Sequence, residues 1–275
     1  MPTKFFSKLR SSDLLTTQDW GSEELKKLAE QLLSYRAPVN FLGLDDDDDD
    51  DDDKNGEAGA GGVSSSYGIP EETAKLMNRL PPDLGKKKAA VLICLFHGEA
   101  GDIRVLLTRR AKSLSSHSGE VALPGGKRDK EDANNAETAL REAQEEIGLD
   151  SSVVRVVTYL EPFLSKHLLR VTPVVAVLLD KSKLSLSPNS GEVDAIFDAP
   201  LDMFLKEQNH RCKEQEWMGF AYRVHYFDYE SSTERYLIWG LTASILIRCA
   251  SIIYMRSPEF GISAEFVPIT NHVPV

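Results

Sequence analysis

Leu123-Pro124-Gly125-Gly126-Lys127, followed by Asn134-Asn135-Ala136-Glu137-Thr138-Ala139-Leu140-Arg141-Glu142-Ala143-Gln144-Glu145-Glu146-Ile147-Gly148-Leu149, is the stretch on which the fold turns. Ala136, Ala139, Leu140, Ala143 and Ile147 recur at helical spacing and predict an amphipathic helix over 134–147, ended by Gly148. Glu142, Glu145 and Glu146 stand at i, i+3 and i+4, so their carboxylates leave one side of that helix, at the border of its apolar face. Anions that close repel one another. Two readings are open for them: a solvated acidic face, or a site for hard cations, which take several oxygen ligands. The glycines just upstream let the backbone come close to a ligand or metal. A tight glycine loop joined to an acidic helix reads as a cradle for cations and a bound diphosphate. Cations there neutralise phosphate charge, polarise the P–O bonds and lower the pKa of a bound water.

Upstream of this stretch, Ala89 to Phe96 is an apolar run of strand length, Gly98 to Asp102 is turn-like, and Ile103 to Thr108 returns as a second strand. Together they predict a hairpin. Downstream, Val153 to Leu160 and Thr172 to Leu179 predict strands, Pro200 to Lys206 a short helix, and Tyr222 to Tyr229 with Tyr236 to Trp239 a strand pair. Leu241 to Ile253 predicts a long apolar closing helix. Strands on both sides of two main helices give an α/β (α+β) class, a mixed β-sheet packed between helices. Further out, Leu25, Leu28, Ala29, Leu32 and Leu33 share one face of a predicted helix over Ser22 to Tyr35, and Glu71 to Leu80 predicts a short helix stopped by Pro81-Pro82. Between them, the Asp run and a Gly/Ala/Ser-rich segment bury too little apolar surface to order themselves. The organisation expected is an N-terminal helical extension (1–44), an acidic and Gly/Ser-rich linker (45–68), a short helical lead-in (69–87), a compact domain (88–256) and a tail (257–275).

The formal charge is −11, but Asp45 to Asp53 supply nine of the negative charges and the remainder is −2. A nearly neutral folded part speaks against a nucleic-acid partner, which selects a basic face. No apolar run reaches the 18 or so residues of a membrane span. Cys94, Cys212 and Cys249 are far apart with no CxxC pair, and read as free thiols of a reducing compartment. Lys4, Lys8 and Arg10 precede the first acid, Asp13, so a mitochondrial presequence stands as the alternative to a cytoplasmic location. The oligomeric state is not readable, and a homodimer is compatible with the sequence.

The spacing Gly125-Gly126-(x5)-Asp132-(x8)-Arg141-Glu142-Ala143-Gln144-Glu145-Glu146-Ile147-Gly148-Leu149 resembles the Nudix box, G-x5-E-x7-R-E-U-x-E-E-x-G-U. Asp132 stands where Glu is usual, and the gap to Arg141 is one residue longer; the coenzyme A diphosphatase branch of the family has a similar longer box with Asp. That branch carries an upstream motif, LLT-x-R-[SA]-x3-R-x3-G-x3-F-PGG, and Leu106-Leu107-Thr108-Arg109-Arg110-Ala111-Lys112 through Ser115 and Gly119 to Leu123-Pro124-Gly125-Gly126 is similar to it. Ser115 replaces the motif's second Arg, which removes one phosphate contact, and Leu123 replaces its Phe. Val157 to His167 and Ile238 to Thr242 further resemble plant members of that branch, so the likeness runs from about Lys88 to Tyr254.

The resemblance implies an α/β/α sandwich and a hydrolase cleaving the diphosphate of coenzyme A or acyl-CoA with Mg²⁺ or Mn²⁺. It implies Glu142 and Glu146 as metal ligands, Glu145 as a third ligand or the holder of a water, and the Gly126 carbonyl facing a metal. It implies Arg141 as a brace, with Asp132 one candidate for its partner. Arg110 is the residue of the upstream motif suited to a phosphate, since guanidinium grips phosphate as a fork. Lys166, His167 and Arg170, read as a loop between strands, stand open between meeting the 3′-phosphate of coenzyme A and helping to activate water. Glu192 is a further candidate carboxylate. Another nucleoside diphosphate derivative as substrate, a non-catalytic Nudix-like binding module, and a scaffold using the Asp run are the rival readings.

Overall fold

The computed structural model describes Trp20 and residues 23–35, 86–217 and 220–261. The expected presequence-like start, the linker, the helix over Glu71 to Leu80 and the tail beyond 261 lie outside the described residues. The elements are α1 (Glu23–Ser34), β1 (Lys87–His97), β2 (Ile103–Arg110), β3 (Val121–Ala122), β4 (Gly125–Lys127) and α2 (Asn135–Ile147). They continue with β5 (Val154–Tyr159), β6 (Phe163–Leu164), β7 (Leu169–Leu178) and β8 (Val193–Pro200). The chain closes with β9 (His210–Trp217), β10 (Phe220–Glu230), β11 (Arg235–Trp239) and α3 (Gly240–Tyr254).

The spine of the molecule is β1 beside β7, parallel from Lys87↔Leu169 to Leu95↔Val177. Both strands are apolar on both faces, as strands covered from both sides must be. All other pairings are antiparallel: β5 and β6 on β7, β2 and β4 on β1, and β3 and β8 on β2. A second antiparallel sheet runs β11-β10-β9. The main sheet is therefore mixed and lies between helices, as the sequence predicts. On one face, Ala139, Ala143 and Ile147 of α2 pack against Ala90, Leu92 and Cys94 of β1 and Val174 and Ala176 of β7. Alanines at the contact let α2 lie close to β1. On the other face, α3 and α1 close a larger core with Ile93, Leu95, Val175 and Val177.

α1 is integral to that core. Leu25, Leu28, Ala29 and Leu32 are buried with Ile245, Cys249 and Ile253 of α3. Gln31 Nε2 donates to the carbonyls of Ile252 and Ile253 (both 2.9 Å), near the end of α3. Tyr35 Oη donates to Glu161 Oε2 (2.5 Å), and Arg248 pairs with the other oxygen of the same buried carboxylate.

Three expectations are corrected. Pro200 to Lys206 holds a 3₁₀ turn over Leu201–Leu205, and no α-helix. Gly125 and Gly126 form a short strand against β1, where a loop was expected, because the missing side chains let the two backbones lie flush; a Cβ on Gly125 would fall 2.6 Å from Val91 Cα. Arg170 belongs to β7 and is buried, so it is not a loop residue. Among the described residues no helix is long and apolar enough to cross a membrane. Cys94 and Cys249 are buried free thiols and Cys212 is an exposed one.

Candidate active site

The site is built where α2 crosses the Gly125-Gly126 strand. Asn134 caps α2 by accepting from Glu137 N–H (3.0 Å), and Gly148 ends it in the left-handed conformation at φ 67°. With both ends fixed, the apolar face faces β1 and the glutamates at its border face β4. Glu146 is buried, 4 % exposed, and its Oε2 accepts the Gly125 N–H at 3.1 Å. Glu142 lies against Gly126: a Cβ there would stand 2.6 Å from Glu142 Oε2. The second glycine is thus required by a carboxylate.

Arg141 organises the rest. Its Nε and one terminal nitrogen grip both oxygens of Asp132, each at 2.9 Å, and that nitrogen also donates to the Lys127 carbonyl (3.1 Å). The other terminal nitrogen reaches Glu142 Oε1 and Glu145 Oε2, both at 3.1 Å. Asp132 also accepts from Thr138 Oγ1 and Asp129 N–H, both at 2.9 Å. The Arg141 guanidinium, followed by these donors, holds the Asp132 carboxyl down at about 2, against burial. The longer gap before Arg141 and the shorter Asp side chain therefore meet as a closed, two-pronged pair.

Arg110 enters from the opposite strand. A register shift in the β2–β8 ladder at Arg109/Arg110 marks an irregularity just where the two arginines diverge. Arg109 pairs with Glu234 (2.6 Å) on the α3 side of the sheet, and Arg110 faces Glu146 Oε1 at 3.7 Å. Arg110 Nε is buried with no hydrogen-bond partner among the described residues. Glu192 stands close enough to raise the pKa of both Glu142 and Glu146. Burial lifts Glu146 to about 7, against the pull of Gly125 N–H and Arg110; burial also lifts Glu142, against Arg141.

The arrangement fits hard divalent cations. Carboxylates held this close and this dry are more anionic than the two guanidinium groups can balance, and a cation bound to them offsets that excess. Arg141 bonds to Glu142 and Glu145, and among the described residues no three acidic, imidazole or thiol groups close around one point.

A family model for the NUDIX domain matches residues 86–218. Nudix hydrolase 15, mitochondrial, from Arabidopsis thaliana is 59% identical over 201 residues, which are 73% of this chain and 70% of that protein. The chain belongs to the Nudix family. Nudix hydrolase 22, chloroplastic, from the same plant is 48% identical over 88% of this chain and 77% of its own length. The peroxisomal coenzyme A diphosphatase NUDT7 of Mus musculus is 38% identical over 66% of this chain and 77% of its own. As a Nudix hydrolase the protein acts on phosphorus-containing acid anhydrides of small molecules, and members of this family generally need divalent metal ions.

Of the Nudix residues named from the sequence, the structure gathers Gly126, Asp132, Arg141, Glu142, Glu145, Glu146, Glu192 and Arg110 into one place. Lys166 and His167 make no hydrogen bond, ion pair or ring contact with that cluster among the described residues: Lys166 Nζ donates to Gln215 Oε1 (3.2 Å) and lies over the Tyr222 ring, and His167 meets His117, whose loop is tied to Arg110. His117 carries no signal of its own in the sequence. Only its place in the upstream motif, two residues before Gly119, points to it.

Proposed function

We propose that the protein hydrolyses the diphosphate bond of coenzyme A or an acyl-CoA, releasing 3′,5′-ADP and 4′-phosphopantetheine or its acylated form, with Mg²⁺ or Mn²⁺ as cofactor. The observation that carries this reading is the carboxylate pair of buried Glu146 and half-buried Glu142 laid on Gly125 and Gly126. It is supported by the upstream motif shared with the coenzyme A branch and by the relative of that name. Divalent cations held there would neutralise the diphosphate, stabilise the charge that develops at phosphorus and lower the pKa of an attacking water. Glu142, Glu146, Glu145 and the Gly126 carbonyl are assigned as their ligands. Arg141, fixed by Asp132, holds Glu142 and Glu145 in readiness. Arg110 has an unused, buried Nε–H and serves as the fork for a phosphate oxygen. Lys166 and His167 contribute to substrate binding from the side.

The test is a substrate panel on purified protein with identification of products. Coenzyme A and acyl-CoAs are expected to be preferred over ADP-ribose, NADH and dinucleoside polyphosphates at equal metal concentration. Ser115, in place of an arginine of the branch motif, is the specific reason to include those rivals; a preference for one of them overturns the substrate assignment. A non-catalytic binding module is indicated only if coenzyme A binds with Mg²⁺ present and no 3′,5′-ADP appears. For compartment, one Arabidopsis relative is named mitochondrial and the other chloroplastic; the first name, with Lys4, Lys8 and Arg10 ahead of Asp13, supports the mitochondrial alternative over the cytoplasm. Imaging of a C-terminally tagged chain separates the two. Light scattering tests the homodimer.

A further inference from the structure

Two loops far apart in sequence meet, and one of them is tied to Arg110, which faces Glu146. His117, between β2 and β3, lies edge to face on His167, between β6 and β7, with ring centroids 5.6 Å apart and planes at 85°. The first loop is pinned to the residue that enters the cradle: Arg110 N–H donates to the Glu120 carbonyl (2.9 Å), and Gly119 N–H to the Arg110 carbonyl (3.2 Å). Glu120 Oε2 stands 2.9 Å from His117 Nδ1, which orients the ring and leaves Nε2 for another partner. In the second loop Ser165 Oγ accepts from His167 N–H (3.3 Å) and Leu169 N–H (3.1 Å).

These histidines do not serve the core. Both are exposed, yet His117 and the neighbour of His167, Leu168, are held at φ 54° and 61°, where residues other than glycine are uncommon. Such conformations cost free energy, more for Leu168 than for His117, and Asn209 and Met255 share them elsewhere, so they add to the ring geometry and do not stand alone. The charges around the pair also differ from those inside. The cradle is lined by carboxylates, which suit cations. The two loops themselves carry Lys112 and Lys166 near the imidazoles in sequence, and the first follows directly on Arg110, against Glu120 and Asp194; Asp194 Oδ2 is already engaged by the Lys112 main-chain N–H (3.1 Å).

We propose that His117 and His167 together form a subsite for a phosphomonoester that the substrate carries apart from the diphosphate to be cut. Each ring offers an N–H to a phosphate oxygen, and the nearby lysines add field without needing direct contact. The identity of that group as the 3′-phosphate of coenzyme A rests on the function proposed above. His117 then sets specificity and takes no part in the chemistry.

The test compares ligands that differ only in this group. Wild-type protein with Mg²⁺ is titrated calorimetrically with 3′,5′-ADP and with 5′-AMP, and assayed on coenzyme A and on dephospho-coenzyme A. His117→Asn is the first variant, because Asn tolerates positive φ and so keeps the loop; His167→Gln is the second. Wild type is expected to bind 3′,5′-ADP at least about tenfold more tightly than 5′-AMP, as loss of a charge-assisted hydrogen bond implies. Each variant removes most of that difference, raises KM for coenzyme A about tenfold with kcat kept, and leaves 5′-AMP and dephospho-coenzyme A unaffected. Equal binding of the two nucleotides by wild type, no binding of either, or a variant that weakens or spares both alike overturns the subsite. If wild type discriminates between the nucleotides but does not cleave coenzyme A, the proposed function fails and the subsite stands.

Discussion

Glu146 is the residue whose chemistry and burial are most tightly joined. Glu146→Gln keeps its shape and its contact with Gly125 N–H but removes the charge, so turnover should fall by on the order of a thousandfold or more with the fold intact. A folded variant with near-normal kcat would remove the metal assignment. Gly126→Ala makes a contrasting case, since the added methyl meets the movable Glu142 carboxylate; activity is expected to collapse while thermal stability changes little. Asp132→Asn breaks the two-pronged grip on Arg141 and leaves the guanidinium partly unpaired. It should cost about 3 kcal/mol in denaturant unfolding, and an unchanged midpoint would contradict the bracing role. That the glutamates, Gly126 and Arg110 come together was legible because helical spacing and the box fix the first four and the upstream motif the last. The Asp132 partner of Arg141 was legible only as one option, since the longer gap hides which acid the fork meets. His117 was not legible, because its partner His167 is brought to it by the fold.

At the scale of elements, apolar periodicity made α1, β1, β2, α2 and α3 legible, each to within a residue or two at most ends. β9 was missed because His210-Arg211-Cys212-Lys213-Glu214-Gln215-Glu216 offers almost no apolar residue to alternate; it is a strand through its pairing with β10. β8 was missed because Asp194 and Asp198 interrupt a short apolar run that pairs at the sheet edge with β2. The β9–β10 hairpin carries a measurable pH response. His210 Nε2 and His225 Nδ1 share a hydrogen bond (2.9 Å), and Phe260 stacks on His210 at 3.7 Å. Burial first, then His225, holds His210 down at about 4, and burial with Arg223 lowers His225 as well. The unfolded chain takes up these protons near 6.5, so below that value it binds more protons than the folded one. Stability is full above about pH 6.5 and is lost as pH falls toward 4. Urea midpoints measured from pH 7 to 4.5 should fall on acidification, and more gently for His210→Gln. Parallel slopes would contradict the assignment.

The whole molecule is larger than the part the motifs mark. Trp20, Leu25, Leu28 and Leu32 are each no more than 5 % exposed. Burying each large side chain contributes about 1.5–3 kcal/mol, so removing all four forfeits about 6 kcal/mol or more. That is of the order of a domain's whole net stability. A chain begun at residue 86 is therefore expected to be largely unfolded or aggregated at 37 °C, by circular dichroism and sedimentation. Retention of a cooperative melt near that of the full chain would show that α1 is dispensable. Deletion of 45–53 is expected to leave turnover unchanged; loss of activity would revive a role for the Asp run. The sequence showed the apolar face of α1 but not its destination, since the surface that receives it is shared by β5 and α3.

The contact of Gln31 with Ile252 spans 221 positions. At about 5–20 residues per second, a ribosome makes α1 roughly ten to forty seconds before it makes α3. For that interval the nascent chain carries a helix whose apolar face has no surface to pack on, because that surface has yet to be synthesised. Pausing, or a premature stop before Gly240, leaves that helix exposed to chaperones and proteases, so the cell's handling of half-made chains should depend on α1 more than on the catalytic residues.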